Sequence, residues 1–171
     1  FGFVAVCAGR GLEDVFRDLG VDAIVGGGQT MNPSTQDIVK AIDATPAEIV
    51  YVLPNNKNII MAAEQVDALT PKHVVVIPSK TVPQGVTAML AFSPEGAVEE
   101  NTDAMTQALG NVDTMQITYA ARNSDFDGYD IHEGDYLALY GSQLFGTSRD
   151  IKVLLKSLAE KVRDDGKEYV T

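Results

Sequence analysis

The sequence predicts an α/β fold: an open, largely parallel sheet flanked by helices, followed by a smaller α+β lobe that reads as truncated. Three observations predict it. The runs FVAVCA (3–8), EIVYVLP (48–54) and HVVVIP (73–78) are apolar at nearly every position, as strands covered on both faces must be. The segments between them carry apolar residues at helical spacing. Beyond residue 93 the pattern changes to alternation broken by closely spaced turn signals.

The elements follow in order. FVAVCA is the first strand; GLEDVFRDLG then places Leu12, Val15, Phe16 and Leu19 on one helical face, and Gly20 closes that helix. AIV (23–25) is a short strand before the helix TQDIVKAID. EIVYVLP precedes the helix NIIMAAEQVDAL, and HVVVIP precedes the helix VPQGVTAMLAF. AVEENTDAMTQALGNV, after SPEG (93–96), reads as a linking helix. TMQITYAARNS alternates, with Met115, Ile117, Tyr119 and Ala121 on one face. Turn signals at 127–128, 133–135 and 140–142 make the next stretch an antiparallel meander. SRDIKVLLKSLAEKVRDDG is an amphipathic helix with Ser148 as its cap, and KEYVT reads as a further strand. The expected division is a parallel lobe over 1–111 and a second, incomplete lobe over 112–171. A start inside a strand without Met, and an end inside another, suggest a piece of a longer protein.

Composition narrows the function classes. Of 171 residues, 45% are hydrophobic, enough for a packed core. The formal net charge of −11 repels phosphates and anionic lipid heads, so neither nucleic acid nor a membrane is an expected partner. The single cysteine, Cys7, lies in an apolar run; a buried reduced thiol points to a reducing, cytoplasmic setting. No stretch reaches the length of a membrane span.

Right-handed crossovers place every strand-to-helix loop on one edge of a parallel sheet, where α/β proteins bind ligands. Three polar loops fall there. The first, GGGQTMNPST, offers Gly27, Gly28, Gln29, Thr30, Asn32 and Ser34; Ser34 and Asp37 have capping-box spacing. The second, LPNNKN, offers Asn55, Asn56, Lys57 and Asn58, more polarity than one helix cap requires. The third, PSKTVPQG, offers Ser79, Lys80 and Gln84, with Thr81 and Gln84 again at capping-box spacing. Each loop is also explained by a rigid turn and a cap. Two lysines among neutral hydrogen-bonding groups suit a polar or anionic surface, but supply no nucleophile or general base. No P-loop or dinucleotide fingerprint is present. His73, His132, the aspartates of the meander and Gly9-Arg10-Gly11 read as structural or solvated.

The strings AGRGLEDVFRDLGVDAIVGGGQTMNPSTQDI, VLPNNKNIIMAAEQV and VVVIPSKTVPQGVTAMLAF closely resemble the carboxy-terminal domain of the fatty acid kinase catalytic-subunit family, related to dihydroxyacetone kinases. The resemblance covers essentially the whole chain. It implies a fold like that of DegV and the K subunit of dihydroxyacetone kinase. It implies a partner in the DegV-type fatty-acid-binding protein. It also implies that ATP and magnesium are bound by an upstream kinase domain, with no cofactor in this chain. The metal-binding Asp motif of that kinase domain is absent here, and neither His73 nor His132 matches the substrate-binding histidine of dihydroxyacetone kinases. The expectation is a non-catalytic docking domain of an ATP-dependent kinase. The alternatives are a kinase domain binding a phosphorylated or hydroxylated metabolite, and a structural or homodimerising domain.

Overall fold

The computed structural model describes residues 1–27, 32–126 and 128–167. Two compact units divide them, Phe1–Val112 and Asp113–Thr171. In the first, β1 (Gly2–Cys7), β2 (Ala23–Gly26), β3 (Ile49–Leu53) and β4 (His73–Val76) form one sheet in the order β2-β1-β3-β4. All neighbouring pairs are parallel. The α/β class with a parallel sheet and a smaller antiparallel region is therefore the observed one.

Alternation along each strand sends side chains to opposite faces and builds two cores. Phe3, Ala5, Cys7, Tyr51 and Leu53 point to one face. They pack under α1 (Arg10–Asp18), α4 (Val82–Leu90), α5 (Val98–Ala108) and the 3₁₀ turn Leu109–Asn111 through Phe16, Ala88, Met89, Met105 and Leu109. Val4, Val6, Val50 and Val52 point to the other face, under α2 (Thr35–Ala44) and α3 (Lys57–Glu64) through Ile38, Ile42, Ile59 and Ala63. Phe3 stacks on Tyr51 with ring centroids 5.6 Å apart and meets Phe92 edge-on at 4.8 Å. Burying an aliphatic or aromatic side chain at such positions stabilises by about 1.5–3 kcal/mol.

Two expectations change here. The α1 stripe is only half used: Phe16 is fully buried, but Leu12 and Val15 are about 40% exposed. In this nine-residue helix Phe16 is the buried anchor on the sheet, and Leu19, just past its end, packs partly buried against the same cluster. The segment 97–112 is not a linker. Met105 is fully buried and the Tyr51 hydroxyl donates to Val98 O at 3.2 Å, so α5 is part of the first unit's cover. Sparse apolar residues conceal this, because Met105, Ala108 and Leu109 make a narrow stripe on an otherwise acidic helix.

In the second unit, β5 (Met115–Tyr119), β8 (Tyr136–Tyr140) and β9 (Gln143–Ser148) form an antiparallel sheet in the order β5-β8-β9, with β6 (Ser124–Phe126) and β7 (Tyr129–Ile131) a separate hairpin. α6 (Ile151–Asp164) packs Leu154 and Leu158 against Ala138, Met115, Ile117 and Phe145. The alternation read through Ala121 ends earlier: β5 stops at Tyr119, Ala120 is buried and Ala121 is exposed. The α6 cap is Asp150, whose Oδ1 accepts from Lys152 N at 2.9 Å. Ser148 instead accepts from Asp150 N at 3.1 Å, one step outside the cap. The strand read at KEYVT covers 167–171: Lys167 lies outside any strand, and 168–171 lie outside the described residues.

Candidate functional site

Because the four strands are parallel, the loops that follow them leave the same edge of the sheet. The strand order also creates a switch point. The chain runs from β1 outward to β2 through α1 on one face, then crosses back to β3 and β4 through α2 and α3 on the other. The loops after β1 and β3 therefore diverge to opposite faces, which opens the crevice where doubly wound sheets place ligands. Among the described residues, the left-handed backbone positions at this edge lie on those two loops, at Gly9 (φ 99°) and Asn55 (φ 54°).

Asn55 fills the base of the crevice. Its Nδ2 donates to Val6 O of β1 at 3.0 Å, and its Oδ1 accepts from Ser79 Oγ at 2.8 Å. Its backbone N–H donates to the same Ser79 Oγ at 3.0 Å. Asn55 and Ser79 are both buried, and Gly85 of α4 lies directly against the Asn55 side chain. On the other side of β1, Gly27 N donates to Cys7 O at 3.1 Å. The end of β1 is thus held from the loops after β2 and β3. Burial pushes the neighbouring Cys7 thiol up to about 11, with Glu13 adding to the rise, so it stays protonated at neutral pH.

The other polar residues divide by whether the fold consumes them. Ser34 and Asp37 form a reciprocal capping box on α2: Asp37 N donates to Ser34 Oγ at 3.2 Å and Ser34 N to Asp37 Oδ2 at 3.0 Å. The hydrogen bonds from Ser34 hold the Asp37 carboxyl below the usual range. Asn56 caps α3, its Oδ1 accepting from Asn58 N at 2.9 Å. Thr81 caps α4, but Gln84 does not complete a box. Its Oε1 accepts from Lys80 N at 2.8 Å and its Nε2 donates to Leu109 O at 3.2 Å, tying the loop after β4 to the end of α5. Asn32, Lys57, Asn58 and Lys80 are exposed, and no hydrogen bond or ion pair among the described residues engages their side chains. Gly28, Gln29 and Thr30 lie outside the described residues.

The loops do not meet equally. Asn55 and Ser79 touch, and Gly27 reaches the same strand end as Asn55. Asn32 and Ser34 lead from β2, two strand spacings from β3, which is about 10 Å across the sheet. Asn56, Lys57 and Asn58 lead to the α3 face; Lys80 and Gln84 lead to the opposite, α4 face. The edge is therefore a row of polar loops around a plugged crevice, with one cation on either side of it, Lys57 and Lys80.

Residues 2–171 match the FakA-like C-terminal family of fatty acid kinase subunits. The chain belongs to that family. Protein YloV of Bacillus subtilis (strain 168) is 42% identical over 171 residues, which are all of this chain and 31% of that protein. Uncharacterized proteins of Staphylococcus aureus strains MRSA252 and USA300 are each 34% identical over 168 residues, 98% of this chain and again 31% of the relative. The chain thus spans about a third of the length of the curated relatives it matches. No helix among the described residues is long and apolar enough to cross a membrane.

For this FakA-like C-terminal domain, sequence reasoning finds the loop edge but not the division of labour within it. Asn55 carries no local signal separating it from Asn56: both are Asn after a strand. What distinguishes them is that Val6, Ser79 and Gly85 surround only one, and that requires the folded sheet.

Proposed function

We propose that this chain is a non-catalytic domain of a fatty acid kinase subunit whose loop edge docks a fatty-acid-binding partner of the DegV type. The edge would hold the partner so that its acyl carboxylate reaches a kinase domain elsewhere in the longer protein. ATP and magnesium would be bound by that domain: a carboxylate oxygen attacks the γ-phosphorus, the bond to ADP breaks, and an acyl phosphate and ADP result. One observation carries the reading. Lys57 and Lys80 stand exposed on a chain of net charge −11, and no described residue engages their ammonium groups, while Asn55, Ser79 and Gln84 around them are committed to the fold. Uncommitted charge on a rigid edge suits recognition and encounter rather than bond-making.

The test is titration calorimetry of the longer protein with its cognate fatty-acid-binding protein. Lys57→Ala with Lys80→Ala is expected to weaken association about tenfold, more at low salt than at high, with unchanged thermal stability. Acyl phosphate formation at saturating partner should be unaffected, because the chemistry lies outside this edge. Unchanged affinity in the double variant overturns the loop-edge reading.

A further inference from the structure

We propose that the free edge of β4 accepts an added strand: a short extended segment of another polypeptide, with Lys or Arg at alternate positions and apolar residues between. This surface runs along the side of the sheet, not at the carboxyl ends of its strands, so it does not rest on the loop-edge reading.

Among the described residues, β4 ends the sheet order β2-β1-β3-β4 and pairs only with β3. His73 N donates to Glu48 O at 2.9 Å and Ile77 N to Val52 O at 3.0 Å, so the odd-numbered residues bond toward β3. Backbone groups alternate direction along a strand, so Val74 and Val76 present their N–H and C=O groups outward. Unpaired groups of this kind are a template for another strand. Folds commonly guard such an edge with lysine, proline or a bulge; the residues of β4, His-Val-Val-Val, supply none.

The edge opens into a groove of ≈ 440 Å³, with His73 to Val76 on one wall and Val98, Glu99, Thr102 and Asp103 of α5 on the other. That acidic wall sets the charge of the occupant. Glu99 and Asp103 are exposed, and no ion pair among the described residues engages either. α5 covers the face of the sheet to which Phe3 and Tyr51 point, so every second side chain of an added strand would meet those carboxylates. The intervening side chains would meet the half-buried Val74 and Val76 on the opposite face. A second copy of this chain fits poorly, since each copy carries the same acidic wall and a net charge of −11. Pro71 and Pro78 bracket the strand, and four residues of β4 span about 13 Å, so the segment is short.

Two capped synthetic peptides of alternating residues, lysine–valine and glutamate–valine, test this by amide exchange and fluorescence titration with the chain. The lysine peptide is expected to bind in a salt-sensitive manner and to slow exchange at the Val74 and Val76 amides about tenfold, leaving Val75 unchanged. Val76→Pro removes an outward N–H that no internal bond uses. Glu99→Lys with Asp103→Lys reverses the wall without touching the core. Each should weaken binding about tenfold. Four results overturn the proposal: no binding of the lysine peptide, equal binding of the glutamate peptide, binding unaffected by the Glu99 and Asp103 reversals, or a self-association that Val76→Pro abolishes, which would assign the edge to a second copy.

Discussion

Asn55 and Ser79, 24 residues apart, bond to each other twice: Asn55 N donates to Ser79 Oγ at 3.0 Å, and the same hydroxyl donates to Asn55 Oδ1 at 2.8 Å. A hydroxyl has one proton and two lone pairs, so it can close this ring. The remaining amide end of Asn55 reaches Val6 O. Three consecutive positions of the sheet, the ends of β1 and β3 and the exit of β4, are therefore locked by one buried polar group. A polar network so placed rigidifies the edge on which the exposed lysines stand.

Ser79→Ala should destabilise the first unit by about 1–3 kcal/mol, because it leaves a buried amide N–H and a buried carbonyl oxygen without partners. Asn55→Ala should cost more, since alanine also meets the left-handed backbone at φ 54°, a penalty of roughly 1–2 kcal/mol. Asn55→Gly, which tolerates that backbone, should recover the second part only. Urea unfolding of the three variants checks the order. Equal losses for alanine and glycine would show that the backbone conformation carries no cost.

Gly85 gives an independent test of the same packing. A Cβ built there would clash with Asn55 Oδ1, far inside van der Waals contact. Gly85→Ala should therefore destabilise the native protein by about 1–3 kcal/mol, despite alanine's better helix propensity. In an Asn55→Gly background the obstruction is gone and the same change should be neutral or stabilising. A double-mutant cycle measures the coupling; additivity of the two losses would mean that Gly85 and Asn55 do not touch.

The sheet is legible in the sequence because Val4, Val6, Val50 and Val52 and their alternating partners are buried on both sides, and burial on both faces leaves an unbroken apolar run. The caps at Ser34 and Thr81 are legible because capping depends on residues three apart. What cannot be read is non-local. Gln84 has the spacing of a partner for Thr81, but its amide bridges Lys80 N and Leu109 O, a residue 25 positions away. α5 has the pattern of a linker because Met105, Ala108 and Leu109 are the only buried apolar residues of its stretch, and the other buried position is the polar Asn101. The expected binding roles of the loop residues depend on which side chains the fold leaves uncommitted, and spacing along the chain does not report that.

In the second unit, the backbone N–H of His132 donates to Asp135 Oδ2 at 2.8 Å and Arg149 Nε to Oδ1 at 3.3 Å. These hold the Asp135 carboxyl below the usual carboxylate range. A depressed folded value means that the charged form is favoured by folding. Its stabilising contribution is full above the unfolded value of about 3.9 and is lost as the pH falls through the lower folded value. Asp135→Asn should lower the stability of this unit at neutral pH and flatten its acid limb, the two proteins converging as the pH falls through that lower folded value. Exchange rates at the Ala120 and Gly134 amides, which bond across this turn, read the unit by itself. A variant curve parallel to the native one down to about pH 2 would remove Asp135 from the acid response.

Lys72 reaches back to the end of α2, where its Nζ donates to Ile42 O at 2.8 Å, to Asp43 O at 3.1 Å and to Thr45 O. The last carbonyls of a helix lack intrahelical donors and carry the negative end of its dipole, so a cation with three protons answers both needs at once. The side chain is half-buried, which reduces its screening by salt. Lys72→Met keeps the apolar stem and removes the charge; it should cost about 1–2 kcal/mol by loss of the dipole interaction and the carbonyl bonds. Lys72→Arg should restore only part of this, because a planar guanidinium cannot point three donors at carbonyls gathered around one atom. Thermal melts of the two variants at low and high salt separate the terms. The methionine loss should persist at high salt, whereas a loss that vanishes there would make Lys72 an ordinary surface charge rather than the cap of α2.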